Sequence, residues 1–220
     1  LLNGTGGLFP TARVVIAPRG EFSAGALSLK RRRKQAYLAA LRASGLWRNV
    51  RWQASSAFEA ADIAAAVGKH AQTQIVPDLP AGVPQEYPRP PKRAGVARIA
   101  FVGRISPMKN LHGAIRMIGR LEGEVELAIF GPKEDEAYWT RCQAELVGLP
   151  PNVRAEFHGT LASDEVVRAL SVFDAMLLPS LGENFGHVVH EALSAGCTPV
   201  LSDRTPWRNL EALGIGYDRP

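Results

Sequence analysis

Cysteine is scarce in this 220-residue chain, and long apolar runs are missing altogether. The two cysteines, Cys142 and Cys197, lie far apart among helix-like residues, which excludes a disulfide framework and predicts a reducing, cytoplasmic environment. No apolar run approaches the ~20 residues that are needed to cross a bilayer. No signal peptide is visible, and because the first residue is not methionine, we expect the chain to begin inside a longer protein.

Internal repeats, low-complexity tracts and a dinucleotide-binding fingerprint are also lacking, since the early "GTGG" precedes a predicted strand and opens no helix. Positive charge is uneven, because residues 1–94 carry a net charge of +9 and the rest of the chain −4. Six of the 16 prolines fall at 77–95, where neither a helix nor a central strand can continue. We therefore predict an N-terminal domain at 1–80, a linker at 81–95 and a C-terminal domain at 96–220.

What the chain does contain is a regular alternation of short apolar runs and helical patterns. In the C-terminal domain we predict strands at 97–103, 125–131, 153–159, 174–180 and 198–203. Helices are expected between them at 111–123, 135–149, 163–173 (from a Ser163 cap) and 185–196. In the N-terminal domain we predict strands at 13–18, 50–55 and 73–77, with helices at 26–47 and 56–68. The alternation predicts parallel sheets, and the first domain is too small to be complete.

The turn after the first strand of the C-terminal domain carries two cations, Arg104 and Lys109. In an open α/β sheet, ligands bind beyond the carboxyl ends of the strands, which is where this turn falls. Lys109 lies at a predicted helix N-terminus, where the helix dipole disfavours a cation unless an anion is bound. The two side chains are therefore either a clamp for a diphosphate or solvated charges of a surface loop.

A second candidate site runs from Glu183 to Glu191, with two histidines, His187 and His190, between them. A proline and a glycine just before Glu183 place it ahead of the helix that carries Glu191. One interpretation is an ordinary surface pair of His187 with Glu191. A metal site is disfavoured, because adjacent positions 190 and 191 point ~100° apart. The third interpretation is a clamp that holds a polyol, with phosphate on the free N–H groups at the helix start.

Together, "FVGRISPMKN" and "PSLGENFGHVVHEALSAGCTPVLSD" resemble the donor-binding half of the retaining glycosyltransferases of family 4, the group 1 transferases. That family has a Gly-Arg…Lys turn after the first strand of its C-terminal domain and a Glu-x7-Glu element later in it. This chain has Gly103-Arg104 with Lys109, and Glu183 with Glu191. Either motif alone would be weak, but the pair in this order and context is specific.

The resemblance covers residues 95–220 well and 13–79 more loosely. It implies an α/β fold of the GT-B type, with two Rossmann-like parallel-sheet domains, of which the first is incomplete here. The family's glycine-rich acceptor loop and N-terminal-domain histidine would precede residue 1. The helices that complete the second domain would follow Pro220, so we expect the chain to be a fragment.

The resemblance also implies roles for the matching residues. Arg104, Lys109 and Glu183 would be the catalytic groups: the two cations would neutralise the departing diphosphate, and Glu183 would lie near the donor sugar or its phosphate. Glu191 would accept hydrogen bonds from the ribose hydroxyls, and the loop at Phe157–Leu161 would lie beside the base. The implied donor-binding positions are Gly103, His158, Leu161, Phe185, Gly186 and Glu191.

The implied reaction is glycosyl transfer with retention, in which charge stabilisation of the leaving diphosphate lowers the barrier. The family is typically metal-independent, and this chain has no Asp-x-Asp element. We therefore expect no metal and no cofactor, a UDP- or GDP-linked sugar as donor, and a glycan or lipid-linked acceptor in cell-surface polysaccharide synthesis. One departure is Asn184, where members usually have glycine; because asparagine tolerates the left-handed conformation, little is expected to change.

The strongest local charge is the run "KRRRK" from Lys30 to Lys34. It is interpreted either as the solvated face of an amphipathic helix or as a contact with anionic membrane lipid or a lipid-linked acceptor. Nucleic acid is not expected as a partner, since no aromatic interleaving or base-reading motif accompanies the charge. Two further hypotheses stay open for the whole chain: a non-catalytic α/β module that docks through this basic face, and another GT-B enzyme such as a nucleotide-sugar epimerase.

Overall fold

The computed structural model describes residues 14–28, 31–78 and 87–220. The chain divides into two compact units. The first unit comprises Leu1–Leu79 and the short segment Gly182–Phe185, and the second comprises Pro80–Leu181 and Gly186–Pro220. The linker predicted at 81–95 falls partly on residues 81–86, which lie outside the described residues.

The first unit is a small parallel sheet with helices between its strands. Its elements are β1 (Val14–Ile16), α1 (Ala24–Ser28), α2 (Arg31–Ser44), β2 (Val50–Ala54), α3 (Ala57–Val67) and β3 (Gln72–Ile75). The strands pair in the order β1-β2-β3. Its core is centred on Trp52, which is 1% exposed and packs edge-on against Trp47 with ring centroids 5.3 Å apart. Ser56 caps α3, because its side chain accepts a hydrogen bond from the Glu59 N–H.

The second unit is a six-stranded, all-parallel sheet. Its strands are β4 (Val96–Val102), β5 (Glu124–Phe130), β6 (Val153–Gly159), β7 (Ala175–Leu178), β8 (Thr198–Ser202) and β9 (Tyr217–Arg219). Its helices are α4 (Leu111–Ile118), α5 (Glu136–Val147), α6 (Val166–Leu170) and α7 (His187–Ser194). The strand order is β6-β5-β4-β7-β8-β9. The predicted α/β class with parallel sheets is confirmed.

The structure differs from the sequence prediction in several elements, and the helix predicted at 111–123 ends at Ile118. β9 was not predicted, because Tyr217–Arg219 has only three residues and no apolar run; it exists through parallel pairing with β8. α6 does not begin at a Ser163 cap, since Glu165 occupies the N-cap position and its carboxylate accepts a hydrogen bond from the Ala162 N–H. The helix predicted at 26–47 is described as α1 and α2, with residues 29 and 30 outside the described residues.

Candidate functional site

The strand order of the second unit defines where a ligand would bind. The chain leaves β4 towards β5 on one side, whereas β7, which comes later, pairs with β4 on the other side through Ile99↔Ala175 and Ala100↔Met176. In open α/β sheets, ligands occupy the crevice outside the carboxyl ends of the two strands at such a reversal. The residues that directly follow β4 and β7 are therefore the candidate site.

The turns after β4 and β7 are joined by hydrogen bonds. The Leu181 N–H donates to the Met108 carbonyl at 2.8 Å, and the Asn110 side-chain amide donates to the Pro179 carbonyl at 3.0 Å. Asn110 is also the N-cap of α4, with φ of 56°, and its side-chain oxygen accepts from the Gly113 N–H at 3.2 Å. One asparagine thus caps the helix and holds the two turns together, which fixes the backbone around Lys109.

Lys109 and Gly103 are brought together at the end of β4. A β-carbon placed on Gly103 would lie 3.6 Å from both Cγ and Cδ of Lys109, so the lysine stem runs directly over this glycine. The absence of a side chain at Gly103 therefore lets Lys109 lie against the strand end. This arrangement places the aliphatic part of Lys109 at the carboxyl edge of the sheet.

Arg104 is held by an acidic neighbour that the sequence analysis did not single out. Its guanidinium donates to the Glu134 carboxylate at 2.7 Å, and the two side chains are 57% and 46% exposed. A pair this exposed contributes little to stability, since water screens it. Arg104 is therefore oriented at the edge by a carboxylate that an incoming anion could replace.

The turn after β5 approaches the turn after β4 closely. The Gly103 N–H donates to the Phe130 carbonyl at 3.0 Å, and the Ile105 N–H donates to the Pro132 carbonyl at 2.8 Å. At Gly131, whose φ is 140°, a β-carbon would lie 1.9 Å from the Gly103 carbonyl oxygen. Only glycine permits this approach, which keeps Glu134 within reach of Arg104.

The start of α7 forms the other side of the candidate site. Gly186 is its N-cap with φ of 75° and offers no side chain to the first amide groups of the helix. Burial raises the pKa of Glu191, and the neighbouring His187 and His190 partly oppose that rise. The helix thus presents an N-terminus suited to an anion and, one turn later, a half-buried carboxylate suited to hydroxyl groups.

The structure places the remaining predicted positions elsewhere on the two units. His158 stacks on the Phe130 ring, with centroids 5.1 Å apart, and its imidazole is 3.8 Å from the Glu156 carboxylate. Leu161 packs on the core of the second unit. Glu183 and Phe185 group with the first unit. The donor-binding roles predicted for these four residues stay predictions.

Within the described parts of the chain, no group of three or more His, Cys, Asp or Glu side chains is arranged to hold a metal ion. No helix among those residues combines the length and apolarity of a membrane span. The two cysteines are buried free thiols, and burial raises the pKa of Cys197 to about 12.

The fold and the edge site together define an α/β protein with a candidate ligand crevice at a topological switch point. Residues 85–214 match the family of the glycosyl transferases group 1. The chain belongs to that family, as its motifs predicted.

Curated relatives resemble half of the chain or more. A 2-deoxystreptamine glucosyltransferase from Streptomyces kanamyceticus is 31% identical over 134 residues, which is 57% of this chain and 34% of the relative. A D-inositol 3-phosphate glycosyltransferase from Mycobacteroides abscessus is 34% identical over 113 residues, which is 50% of this chain and 25% of the relative. The chain thus matches about a third or less of the length of these enzymes.

Solved structures share the fold over most of the chain. The Anabaena protein HepE in complex with UDP and glucose has a TM-score of 0.69 and 17% identity, covering 93% of this chain and 57% of that one. A sucrose-phosphate synthase from Thermosynechococcus elongatus has a TM-score of 0.70 and 18% identity, covering 94% of this chain and 54% of that one. At this level of identity the likeness shows the fold, and the predicted GT-B type is confirmed.

Proposed function

We propose that this chain carries the donor-binding half of a glycosyltransferase that moves a sugar from a nucleoside-diphosphate donor to a glycan or lipid-linked acceptor. The observation that carries this proposal is the carboxyl edge shared by β4 and β7, where Arg104, Lys109 and the start of α7 all lie. The family match supports it, and relatives and structural neighbours are described as glucosyltransferases or as complexes with UDP.

Arg104 and Lys109 are the groups that would stabilise the leaving diphosphate. A guanidinium binds phosphate oxygens with two parallel hydrogen bonds, so a diphosphate would replace Glu134 as the partner of Arg104. Lys109 would add a second positive charge from its position over Gly103. Both charges act on negative charge that grows as the glycosidic bond breaks, so they lower the barrier as well as bind the donor.

Glu191 would accept hydrogen bonds from the ribose hydroxyls. A carboxylate accepts two such bonds without a competing donor, and partial burial strengthens them. Glu183, Phe185, Gly186, His158 and Leu161 are proposed as further donor contacts on the strength of the motif alone. The proposal also includes retention of configuration, metal independence, a role in cell-surface polysaccharide synthesis and a cytoplasmic location. Sugar transfer that persists after treatment with EDTA would support metal independence.

The decisive experiment is isothermal titration calorimetry of the 220-residue chain with UDP and GDP. We expect Lys109→Ala to weaken binding of the preferred nucleotide by about tenfold or more, because it removes a charge-assisted contact with phosphate. The melting temperature should change little, since the side chain lies at the sheet edge. The matched control is Lys133→Ala, which removes a lysine that contacts the Trp139 and Phe157 rings at 4.8 Å. A chain that is folded but binds no nucleoside diphosphate would contradict the proposed function.

A second role is proposed for α2. Arg31, Arg32 and Arg33 are all exposed, and Tyr37 on the same helix is 65% exposed. Lys30 of the predicted basic run lies outside the described residues. Such a helix suits anionic lipid near a lipid-linked acceptor. Replacing the three arginines by glutamate should abolish salt-sensitive binding to vesicles that contain phosphatidylserine while leaving UDP binding intact.

Product analysis with a UDP-sugar would distinguish transfer from epimerisation.

A further inference from the structure

The first unit contains a buried carboxylate that the proposed donor chemistry does not use. Glu59, in the first turn of α3, is only 4% exposed. One of its oxygens accepts the Gly20 N–H at 2.8 Å, and the other accepts the N–H and the hydroxyl of Ser55 at 2.7 and 2.9 Å. A buried charge is tolerated only where its oxygens are hydrogen-bonded in this way. These three hydrogen bonds therefore hold both carboxylate oxygens of Glu59 in fixed places.

Asn184 contacts this carboxylate from the Gly182–Phe185 segment, which packs in the same unit. Because a carboxylate only accepts hydrogen bonds, the amide nitrogen must face it. In that orientation the Asn184 nitrogen lies 2.9 and 2.7 Å from the two Glu59 oxygens and 2.8 Å from the Ser55 hydroxyl. The amide thus completes a network in which a charged acceptor holds a neutral donor.

The backbone conformation at position 184 does not explain why the residue there is asparagine. Among the described residues other than glycine, positive φ values occur at Arg19, Asn110 and Asn209, so Asn184 is not in the left-handed conformation. The expectation that it stands in for glycine through that conformation was wrong. Its side chain is instead packed in place, since a β-carbon on Gly20 would lie 3.2 Å from the Asn184 β-carbon. The side-chain amide is what distinguishes this position from glycine.

We propose that Asn184 is a positioning residue, and that the hydrogen bonds from its side-chain amide to the buried Glu59 carboxylate fix the loop that carries Glu183 and Phe185. This inference rests on the proposed function only for its effect on the donor. Glu183 and Phe185 are the immediate neighbours of Asn184 in the chain, so a rigid Asn184 restricts both of their backbones. Loops that bind a ligand gain affinity when they are already ordered.

The test is a pair of isosteric changes. Asn184→Asp puts a second carboxylate beside Glu59, and repulsion between the two should release the loop. Adding Glu59→Gln to that variant supplies an amide donor opposite the new carboxylate and should restore this hydrogen bond only in part, because the same amide nitrogen then faces a backbone N–H of Gly20 or Ser55 that a Glu59 oxygen accepts. With UDP as the probe in calorimetry, we expect Asn184→Asp to weaken binding about tenfold and the double variant to recover part of that loss.

The matched control is Asn152→Asp in the second unit. The Asn152 amide donates to the Leu121 and Gly123 carbonyls at 3.0 and 2.7 Å, near the amino ends of the strands and away from the candidate site. This variant should lower the melting temperature without changing UDP affinity. Hydrogen exchange of residues 182–186, measured without nucleotide, is the second readout. It should rise in Asn184→Asp and fall again in the double variant.

A pH series separates positioning from general damage. At acid pH one proton can bridge the two carboxylates of Asn184→Asp, so the ratio of its Kd to that of the wild-type chain should fall towards one. Asp62, on the same helix, is the titratable neighbour of Glu59, and Glu183 adjoins Asn184 in the chain. The pH series therefore compares Asp62→Asn alone with Asp62→Asn combined with Asn184→Asp. Glu183 is present in both chains, so its titration cancels in the ratio of the Kd values.

The outcomes are distinct. Equal UDP binding and equal exchange in Asn184→Asp and the wild-type chain would overturn the inference, as would a ratio of their Kd values that stays constant across the pH series. If the wild-type chain binds neither UDP nor GDP, the proposed function fails, and hydrogen exchange alone decides whether Asn184 anchors the loop. If Asn184→Asp does not fold, Asn184→Ala replaces it; unchanged affinity and exchange in that variant would also overturn the inference.

Discussion

At the scale of single residues, the candidate site depends on a few side chains whose surroundings change their chemistry. Burial raises the pKa of Glu191, although the adjacent His187 and His190 oppose the rise. A carboxyl group with a raised pKa is less stable as an anion in the folded chain than in the unfolded one. Glu191 therefore lowers stability above its unfolded pKa, a cost that the proposed contact with ribose would explain.

Glu191→Gln should therefore separate binding from stability. We expect UDP affinity to fall by about tenfold or more, because an amide oxygen is a weaker acceptor than a carboxylate. The melting temperature at neutral pH should rise, since position 191 no longer carries a partly buried charge. Calorimetry and thermal unfolding measure the two effects. The control for loss of a carboxylate is Glu124→Gln, at an exposed position at the start of β5. This variant should change neither the UDP affinity nor the melting temperature.

The wild-type chain should also lose UDP affinity on acidification. As pH falls through the raised pKa of Glu191, the carboxylate becomes protonated and can no longer accept from both hydroxyls. Glu191→Gln has no such group and should show a flatter pH profile. Identical profiles for the two chains would contradict the assignment of Glu191 to the ribose.

At the scale of secondary-structure elements, the site is built from the turns that follow parallel strands. The turns after β4 and β5 approach so closely that Gly131 has no room for a side chain. Asn110 ties the turn after β4 to the residues that follow β7. The Arg104 and Lys109 side chains are therefore positioned by backbone contacts between segments that are distant in sequence.

Gly131→Ala should destabilise the second unit by several kcal/mol, because its β-carbon would collide with the Gly103 carbonyl oxygen and its φ is 140°. Gly159→Ala is the matched control, since its φ is also positive, at 81°, but no atom lies within 4 Å of its β-carbon. It should cost about 1 kcal/mol through backbone strain alone. Chemical denaturation measures both, and equal costs would contradict the importance of the close approach.

At the scale of the whole molecule, the two units contain acids whose pKa values shift in opposite directions. In the first unit, burial and then repulsion from Glu59 raise the pKa of Asp62 from 3.8 to about 6. In the second, burial would raise the pKa of Asp174, but hydrogen bonds from the Arg98 backbone and side chain and its charge outweigh burial and lower it. Arg98 and Asp174 thereby join β4 to the residue before β7.

The two units should therefore respond differently to acid. The raised pKa of Asp62 means that the first unit loses stability as pH rises from about 4 to about 6. The lowered pKa of Asp174 means that the second unit keeps its stability above the unfolded value and loses it as pH falls through the folded pKa. Because the raised pKa of Glu191 opposes the effect of Asp174 in the second unit, each acid is isolated by comparing its variant with the wild-type chain. In hydrogen exchange resolved by unit, the difference made by Asp62→Asn in the first unit and the difference made by Asp174→Asn in the second should change with pH in opposite directions.

The sequence by itself determined the α/β class, most strand and helix positions and the family. These follow from local patterns: apolar runs, helical periodicity, and the Gly103-Arg104…Lys109 and Glu183…Glu191 motifs. Boundaries at α6 and the three-residue β9 were missed because they depend on pairing and capping partners rather than on periodicity.

Only the tertiary structure decided which residues share a site and what holds them. The strand reversal at β4 and β7, the Glu134 partner of Arg104 and the dual role of Asn110 all join segments far apart in the chain. The contact of the Asn184 amide with Glu59 was likewise hidden from the sequence, because the two residues lie 125 positions apart. Such contacts arise from the packing of the whole chain, since hydrogen-bond partners are set by position in space and not by spacing in sequence.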